Sequence, residues 1–479
     1  MLPYTKFLLD NSLYPHDFYI QSIAASVPNE RIVFSYLLSF TGDYLEWAVF
    51  GLHVLTTLLL VFGIYRLISK SVKTEPIRWT ATLCVFFFLY GINLGGNELY
   101  YNSFLPSYVA QVIGIWVFVL LLEGVLFRAY ILLMLITYIH PLIGIQLWLL
   151  FSLSLATMFF VDKDNIKIGG LIVPNLLYLS IAGYFVYQIK SGYDTTTMSP
   201  QAFLDIIEFR AAHHYFPHYF PVKNYLILAL PFYLGWVISG AWTRWFFRWA
   251  LLGLVVYIVG VYILHHPTPL STQWFSTTVW IKTFSFFIFF SLIEGVICQN
   301  EKRKALLQKL SESDVIPKLL SAVALISLFF MTPQYRLFPT KPYHFPFTNY
   351  ETDDIQIAQQ AQILTPRNAL FLIPPDCSAF RYWSERSSYV DYKATNHRQS
   401  AFANWYARIR EIYKINLADR RAGADLPALA NTHFSQLTET DFLALKEKTK
   451  VTHILSYKNR VLQFPKLAEN STYVIYQIK

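Results

Sequence analysis

Residues 104–160 read FLPSYVAQVIGIWVFVLLLEGVLFRAYILLMLITYIHPLIGIQLWLLFSLSLATMFF, and this stretch decides the fold. Its only charges are Glu123 and Arg128. A helix that crosses a bilayer needs about 20 mostly apolar residues. The stretch therefore predicts three successive spans, roughly 104–122, 125–139 and 142–160. Proline removes a backbone donor and breaks a helix, so His140-Pro141 predicts a tight re-entry rather than one long helix. Working outward, similar apolar runs occupy roughly 44–68, 79–95, 169–189, 224–241, 249–264, 278–298 and 317–333, about ten spans in all.

Composition agrees. Of 479 residues, 54% are hydrophobic and 14% charged, against about 25% charged in a soluble domain. So much apolar surface excludes disorder, and three cysteines exclude a disulfide scaffold. The charge is unevenly spread. Residues 1–333 hold 20 Lys+Arg and 17 Asp+Glu, whereas the shorter stretch 334–479 holds 19 and 13. The expected fold is an α-helical polytopic membrane domain followed by a small extracytoplasmic α/β domain. Its parts are a first extracytoplasmic segment (1–43) with an interfacial helix, a transmembrane domain (44–333) and the α/β domain (334–479).

Lysine and arginine in short loops orient such a domain. One set of loops carries Arg66, Lys70, Lys73, Arg78, Arg128, Lys163, Lys167, Arg244, Arg248, Lys302, Arg303, Lys304, Lys309 and Lys318. The intervening loops carry Lys190, Arg210 and Lys223. The first set is therefore expected in the cytoplasm, with residues 1–43 and the carboxy-terminal domain outside. The net charge of +9 reads as topology plus a basic outer domain, not as a nucleic-acid surface. The chain opens on Met1-Leu2-Pro3-Tyr4 without a signal-peptide pattern. Either the first 43 residues cross ahead of the first span, or a leading span is missing.

On this topology eleven of the twelve histidines lie outside or at the outer boundary, and His53 alone sits within a span. Either spans simply exclude polar residues, or the outer surface carries a site. Asp10, His16 and Asp17 sit among aromatics in LLDNSLYPHDFY (8–19). A carboxylate pair there serves as a general base or holds a divalent cation; the alternative is turn capping. Residues 29–40 have a polar start and an apolar body too short to span, which fits an interfacial helix.

Ser199-Pro200 reads as a helix start, delivering Arg210, His213, His214 and His218 among aromatics. That chemistry suits an anionic group such as a lipid-linked phosphate. A metal shared by His214 and His218 is the rival, weakened by Pro217, and an amphipathic interfacial loop is the third option. A third outer cluster joins Asn97, Glu98, His140, His265 and Lys282. Lysine at that depth either snorkels or faces a cavity. Glu123 and Glu294, near cytoplasmic ends, are assigned no role.

The last part of the chain reads as alternating strands and helices: strands at 369–373, 388–390, 451–456 and 472–477, and helices at 401–416 and 441–448. No glycine-rich phosphate loop follows a strand. Arg381, Arg386, Lys393, Arg398, Arg408 and Arg410 form a basic stretch, either a solvated surface or a face for anionic glycan or lipid.

The phrases LLDNSLYPHDFY, ELYYNSFLPSYVAQ, YIHPLIGIQLWL, RAAHHYFP and TPRNALFLIPPDCSAFRYWSERSSYVDYK resemble those of a bacterial membrane family grouped near the GT-C superfamily of integral-membrane glycosyltransferases. The architecture of nearly the whole chain is similar to that superfamily. The resemblance implies sugar transfer from a polyprenyl-phosphate donor to a glycan, lipid or protein acceptor at the outer face of the bacterial cytoplasmic (inner) membrane. By position in the first outer loop it implies Asp10 or Asp17 as catalytic acid, although the leading span usual before that loop is lacking here. The substrate-binding set read from the three outer segments is His16, Asn97, Glu98, His140, Arg210, His213, His214, His218, His265 and Lys282, of which Arg210, its neighbouring histidines and Lys282 would hold the donor phosphate in the implied mechanism. The sequence assigns no certain cofactor; a divalent cation is the one it leaves open. A lipid-linked sugar transporter or flippase, and a non-catalytic assembly protein of a glycan pathway, are the rival functions.

Overall fold

Long apolar runs bury their backbone polar groups most cheaply as helices. The structure, a computed structural model, describes residues 2–88, 94–96, 98–101, 103–162, 168–191, 198–237, 241–311, 352–396 and 398–478. The chain divides into two units. One, helical, comprises Glu46–Tyr187 and Ala211–Phe345; the other, which bears a sheet, comprises Met1–Leu45, Gln188–Arg210 and Pro346–Lys479.

Among the described residues, five helical stretches are long and apolar enough to cross a membrane: Gly42–Ile68, Pro141–Val161, Gly169–Ser191, Thr243–Ile263 and Thr268–Cys298. This is a membrane protein, but ten spans are not recovered as ten crossing helices. Pro106–Leu122, Leu126–Ile139 and Val222–Leu234 are apolar but shorter. At 1.5 Å per residue, the 14 residues of Leu126–Ile139 reach about 21 Å, less than a hydrocarbon core of about 30 Å. The span expected at 317–333 and the end of that at 79–95 lie outside the described residues.

The break at His140-Pro141 forms as the sequence predicts. One helix ends at Ile139 and the next begins at Pro141. Between them His140 leaves helical geometry (φ −147°, ψ 89°), and its Nδ1 accepts the Ile143 N–H at 3.4 Å. Phe118 centres the core of the helical unit, with the rings of Phe151, Trp280 and Phe284 at 4.8, 5.1 and 4.5 Å. These tilted and edge-on contacts suit the ring quadrupoles. Glu123 and Glu294 do have work. Glu123 joins Arg66 (2.9 Å) to Lys70 (2.7 Å), and Glu294 accepts the Lys73 N–H at 2.9 Å. These ties gather several helix ends at one end of the unit.

In the other unit the strands are β1 (Leu370–Leu372), β2 (Ser387–Ser388), β3 (His453–Tyr457), β4 (Lys466–Glu469) and β5 (Tyr473–Gln477), in the order β2-β1-β3-β5-β4. β1 runs parallel to β2 and β3, while β5 is antiparallel to β3 and β4. Strands and helices expected here form within a few residues of their predicted bounds. Helices Asp353–Leu364, Phe380–Ser384, Leu417–Arg421 and Leu426–Gln436 and strand β4 are additional. Capping boxes start Leu417–Arg421 (Asn416 with Asp419) and Glu439–Thr449 (Thr438 with Asp441). The core joins Ile357 and Ala361 to Phe371, Phe380, Leu455 and Ile475.

Residues 1–45 belong to this same unit. Their helices Leu2–Leu9, Phe18–Ala24 and Ile32–Ser39 carry a buried cluster of Tyr4, Tyr14, Tyr19, Ile20 and Ile23, against which Ala394 packs. Tyr36, Leu37 and Phe40 remain exposed on and just after Ile32–Ser39.

Candidate functional site

In the helical unit the site is built around Gly95-Gly96. Both glycines have positive φ, +82° and +71°. A Cβ on Gly96 would lie 2.2 Å from Nδ1 of His214, and one on Gly95 2.9 Å from Cβ of Phe275. Only glycine permits this approach. The turn is pinned from two sides. His214 Nδ1 hydrogen-bonds the Gly95 carbonyl at 3.1 Å, and Thr278 donates its hydroxyl to the Leu94 carbonyl at 3.2 Å. One helical turn beyond Thr278 stands Lys282, 2% exposed. Glu98, just past the glycines, is the acidic group that acts on its ammonium.

Three distant segments thus bring Glu98, His213, His214 and Lys282 to one place. The His213 and His214 rings lie 4.1 Å apart. Aromatic groups extend the cluster. The Glu98 N–H donates to the Tyr101 hydroxyl at 3.0 Å, Tyr101 lies 6.2 Å from Tyr108, and Tyr108 lies 5.5 Å from the His53 ring. His53 Nδ1 is buried and has no hydrogen-bond partner among the described residues. Along the helix Thr278–Cys298, Lys282 lies about 18 Å from Glu294 by helical rise, so the cluster occupies the end of the unit opposite the Glu123 and Glu294 ties.

The remaining predicted residues of this unit are elsewhere engaged. His140 caps its helix, as above. His218 Nδ1 meets the Tyr262 hydroxyl at 2.6 Å. His265 is exposed with φ +47°, and its neighbour His266 accepts the Thr268 N–H at 3.2 Å. Asn97 lies outside the described residues. Among the described residues no group of three or more His, Cys, Asp or Glu side chains is placed to hold a metal ion.

In the sheet-bearing unit Asp17 is fully buried. Its Oδ2 pairs with Arg381 Nε at 2.8 Å and accepts the Ser388 N–H at 2.9 Å; its Oδ1 accepts the Ile20 N–H at 3.0 Å and caps Phe18–Ala24. Asp391 lies 3.4 Å from the same guanidinium. Burial works against the charge on Arg381, but Asp17 and Asp391 outweigh it and hold its pKa above the usual value. Asp10 is accessible. It accepts from the Ser12 N–H at 2.9 Å and pairs with Arg367 at 3.2 Å. Ser12 and then Arg367 keep its pKa below the usual carboxylate range. The His16 N–H donates to Ser387 Oγ at 3.1 Å. Arg210 donates to the Lys393 carbonyl, with its guanidinium 5.7 Å from the Trp405 ring. It closes the straight part of its helix, which kinks at Ala211 (φ −149°, ψ 41°).

The basic stretch of this unit is not a uniform surface. Arg381 and Arg386 are 3% and 5% exposed. Arg408 is held between the rings of Phe18 and Tyr389 at 4.3 and 4.2 Å. Carboxylates, carbonyls and aromatic faces satisfy these arginines internally. Sequence reasoning missed the glycine pair and the role of Arg381. Gly95-Gly96 immediately before Asn97-Glu98 was the available signal for the first; nothing local marked the second.

A protein family described as a domain of unknown function (DUF6798) matches residues 352–412. No curated protein matches the chain. Among solved structures, the chain is similar to the crystal structure of the Archaeoglobus fulgidus oligosaccharyltransferase in its apo form, at 10% identity and a TM-score of 0.40. The match covers 95% of this chain and 65% of that one, so the chain spans just under two thirds of that protein's length.

Proposed function

We propose that the protein is a GT-C-like glycosyltransferase that moves a sugar from a polyprenyl-phosphate donor to an acceptor hydroxyl at the extracytoplasmic face of the cytoplasmic membrane. The carrying observation is the buried Lys282, set among apolar and hydroxyl side chains near the start of its helix, with Glu98 and the His213-His214 pair. Ionisable groups buried in a span are functional by default, and an ammonium and imidazoles gathered at one end of the helical unit suit a phosphate attached to a lipid. Sidedness has its own support. Residues 1–45, 188–210 and 346–479 form one compact unit, and a compact unit lies on one side of a bilayer. The lysine and arginine bias places the cytoplasm on the other side.

In this reading the acceptor oxygen attacks the anomeric carbon with inversion, and the bond from that carbon to the phosphate oxygen breaks. Polyprenyl phosphate leaves, its charge met by Lys282 and the histidines. A carboxylate takes the acceptor's proton. In the helical unit Glu98 is the candidate; Asp10, the acid expected from the sequence, belongs to the other unit and is tested by itself. Asp17, fully buried and hydrogen-bonded, is assigned to structure.

The test is transfer by purified protein in nanodiscs, with a panel of polyprenyl-phosphate sugars and membrane glycan fractions as acceptors. Lys282→Met should retain the fold and lose donor-dependent transfer. Wild-type rates in that variant sink the reading. Glu98→Gln and Asp10→Asn then identify the base.

A further inference from the structure

The sequence WTRWFFRW (242–249) sets two arginines one helical turn apart among tryptophans. It lies at the start of the helix Ala241–Ile258, beside the end of Val222–Val237. The Arg248 guanidinium lies 5.1 Å from the Trp236 ring and 4.9 Å from that of Trp245, and Arg244 lies 5.3 Å from Trp245. Trp249 fixes the rotation of this helix by donating to Thr157 Oγ1 at 2.9 Å. The Nε–H of Arg248 is buried and finds no acceptor among the described residues.

A buried donor on a charged group calls for an anionic oxygen. Nearby, Trp236, Val237 and Leu252 are each about half exposed, an apolar surface that suits acyl chains. Tryptophan and arginine together mark the headgroup level of a bilayer. We infer that Arg244 and Arg248, framed by Trp236 and Trp245, bind the phosphate of an anionic membrane lipid. By the charge bias this is the cytoplasmic leaflet. The indole faces hold the guanidiniums flat, and the phosphate oxygens receive their N–H groups. The site is independent of the Lys282 cluster and of the proposed transfer reaction.

The experiment is native mass spectrometry of the full chain released from detergent with dioleoyl-phosphatidylglycerol or dioleoyl-phosphatidylcholine. Wild-type protein should retain the phosphatidylglycerol about 30-fold better, as expected for two arginines near an anionic headgroup. Equal retention of the two lipids overturns the proposal without any variant. Arg244→Gln/Arg248→Gln should abolish the preference, and Trp236→Leu should weaken it. Arg128→Gln, at an exposed position on the same face, should leave it intact. A preference that survives the double arginine variant also overturns the assignment. So does displacement of the lipid by millimolar inorganic phosphate, which would make the site one for a soluble anion.

Discussion

Replacing Asp17 with alanine should unfasten the amino-terminal segment from the sheet-bearing unit. The carboxylate and the Arg381 side chain are 0% and 4% exposed, with the charged atoms 2.8 Å apart. Breaking a buried pair by removing one partner costs about 3–5 kcal/mol. Loss of the cap on Phe18–Ala24 adds about 1 kcal/mol. Asp391 retains part of the compensation for Arg381, so a net loss of about 4 kcal/mol is expected. That is a large share of the roughly 5–15 kcal/mol that stabilises a domain. Asp17→Asn should fare somewhat better, because the amide keeps the cap while offering Arg381 no charge. The assay is hydrogen exchange by mass spectrometry on the full protein in detergent. At 1.4 kcal/mol per tenfold, amides of 18–24 and 387–390 should exchange about a thousand times faster in Asp17→Ala. Adding Arg381→Met should recover part of the protection, since an apolar pair leaves no buried charge. Unchanged protection in Asp17→Ala would refute the structural assignment. If that protein also lost transfer, Asp17 would return to the chemistry.

Asp10→Asn should leave the melting temperature within about 1 °C of wild type, as for other exposed substitutions; a larger drop would make Asp10 structural. Gly96→Ala and Gly423→Ala both place alanine at positive φ, which costs about 1–2 kcal/mol. Only at Gly96 does the added carbon strike a neighbour, His214, so thermal melts should rank Gly96→Ala clearly the more damaging. Burial and then Arg386 push the pKa of His453 down to about 4. The unfolded chain binds a proton near pH 6.5 that the folded chain refuses, so stability should fall as pH drops from about 6.5 to about 4, by up to about 3 kcal/mol. Exchange at 451–457 reports it, and His453→Gln should flatten that window.

Much of this was readable along the chain. Hydrophobic periodicity and run length are local, so the apolar helices, the His140-Pro141 break and the Ser199-Pro200 start follow from residues within a turn or two. The strands β1, β3 and β5 are short apolar runs bounded by turn residues, and they were equally plain. Run length was a poor guide where helices are short: Leu126–Ile139 is apolar but for Arg128 near its start and still under the length of a crossing. Parts of the site were legible too. Glu98 and Lys282 stand out because charge is rare among apolar residues, and His213-His214 because the pair sits among aromatics.

Composition and local pattern by themselves determined a membrane protein with many apolar helices, a separate polar carboxy-terminal unit and a shortlist of polar residues. The tertiary structure alone decided which of those residues meet. It carried residues 1–45 across more than 300 positions to join the sheet, and made Asp17 the partner of Arg381 rather than a free acid. It turned Arg381, Arg386 and Arg408 of the basic stretch inward. It also set Lys282 within reach of Glu98, and His214 against a glycine turn that leaves no room for a side chain. The physical reason is that secondary structure depends on neighbours in sequence, whereas the state of a charged group depends on what lies within a few ångströms of it in space.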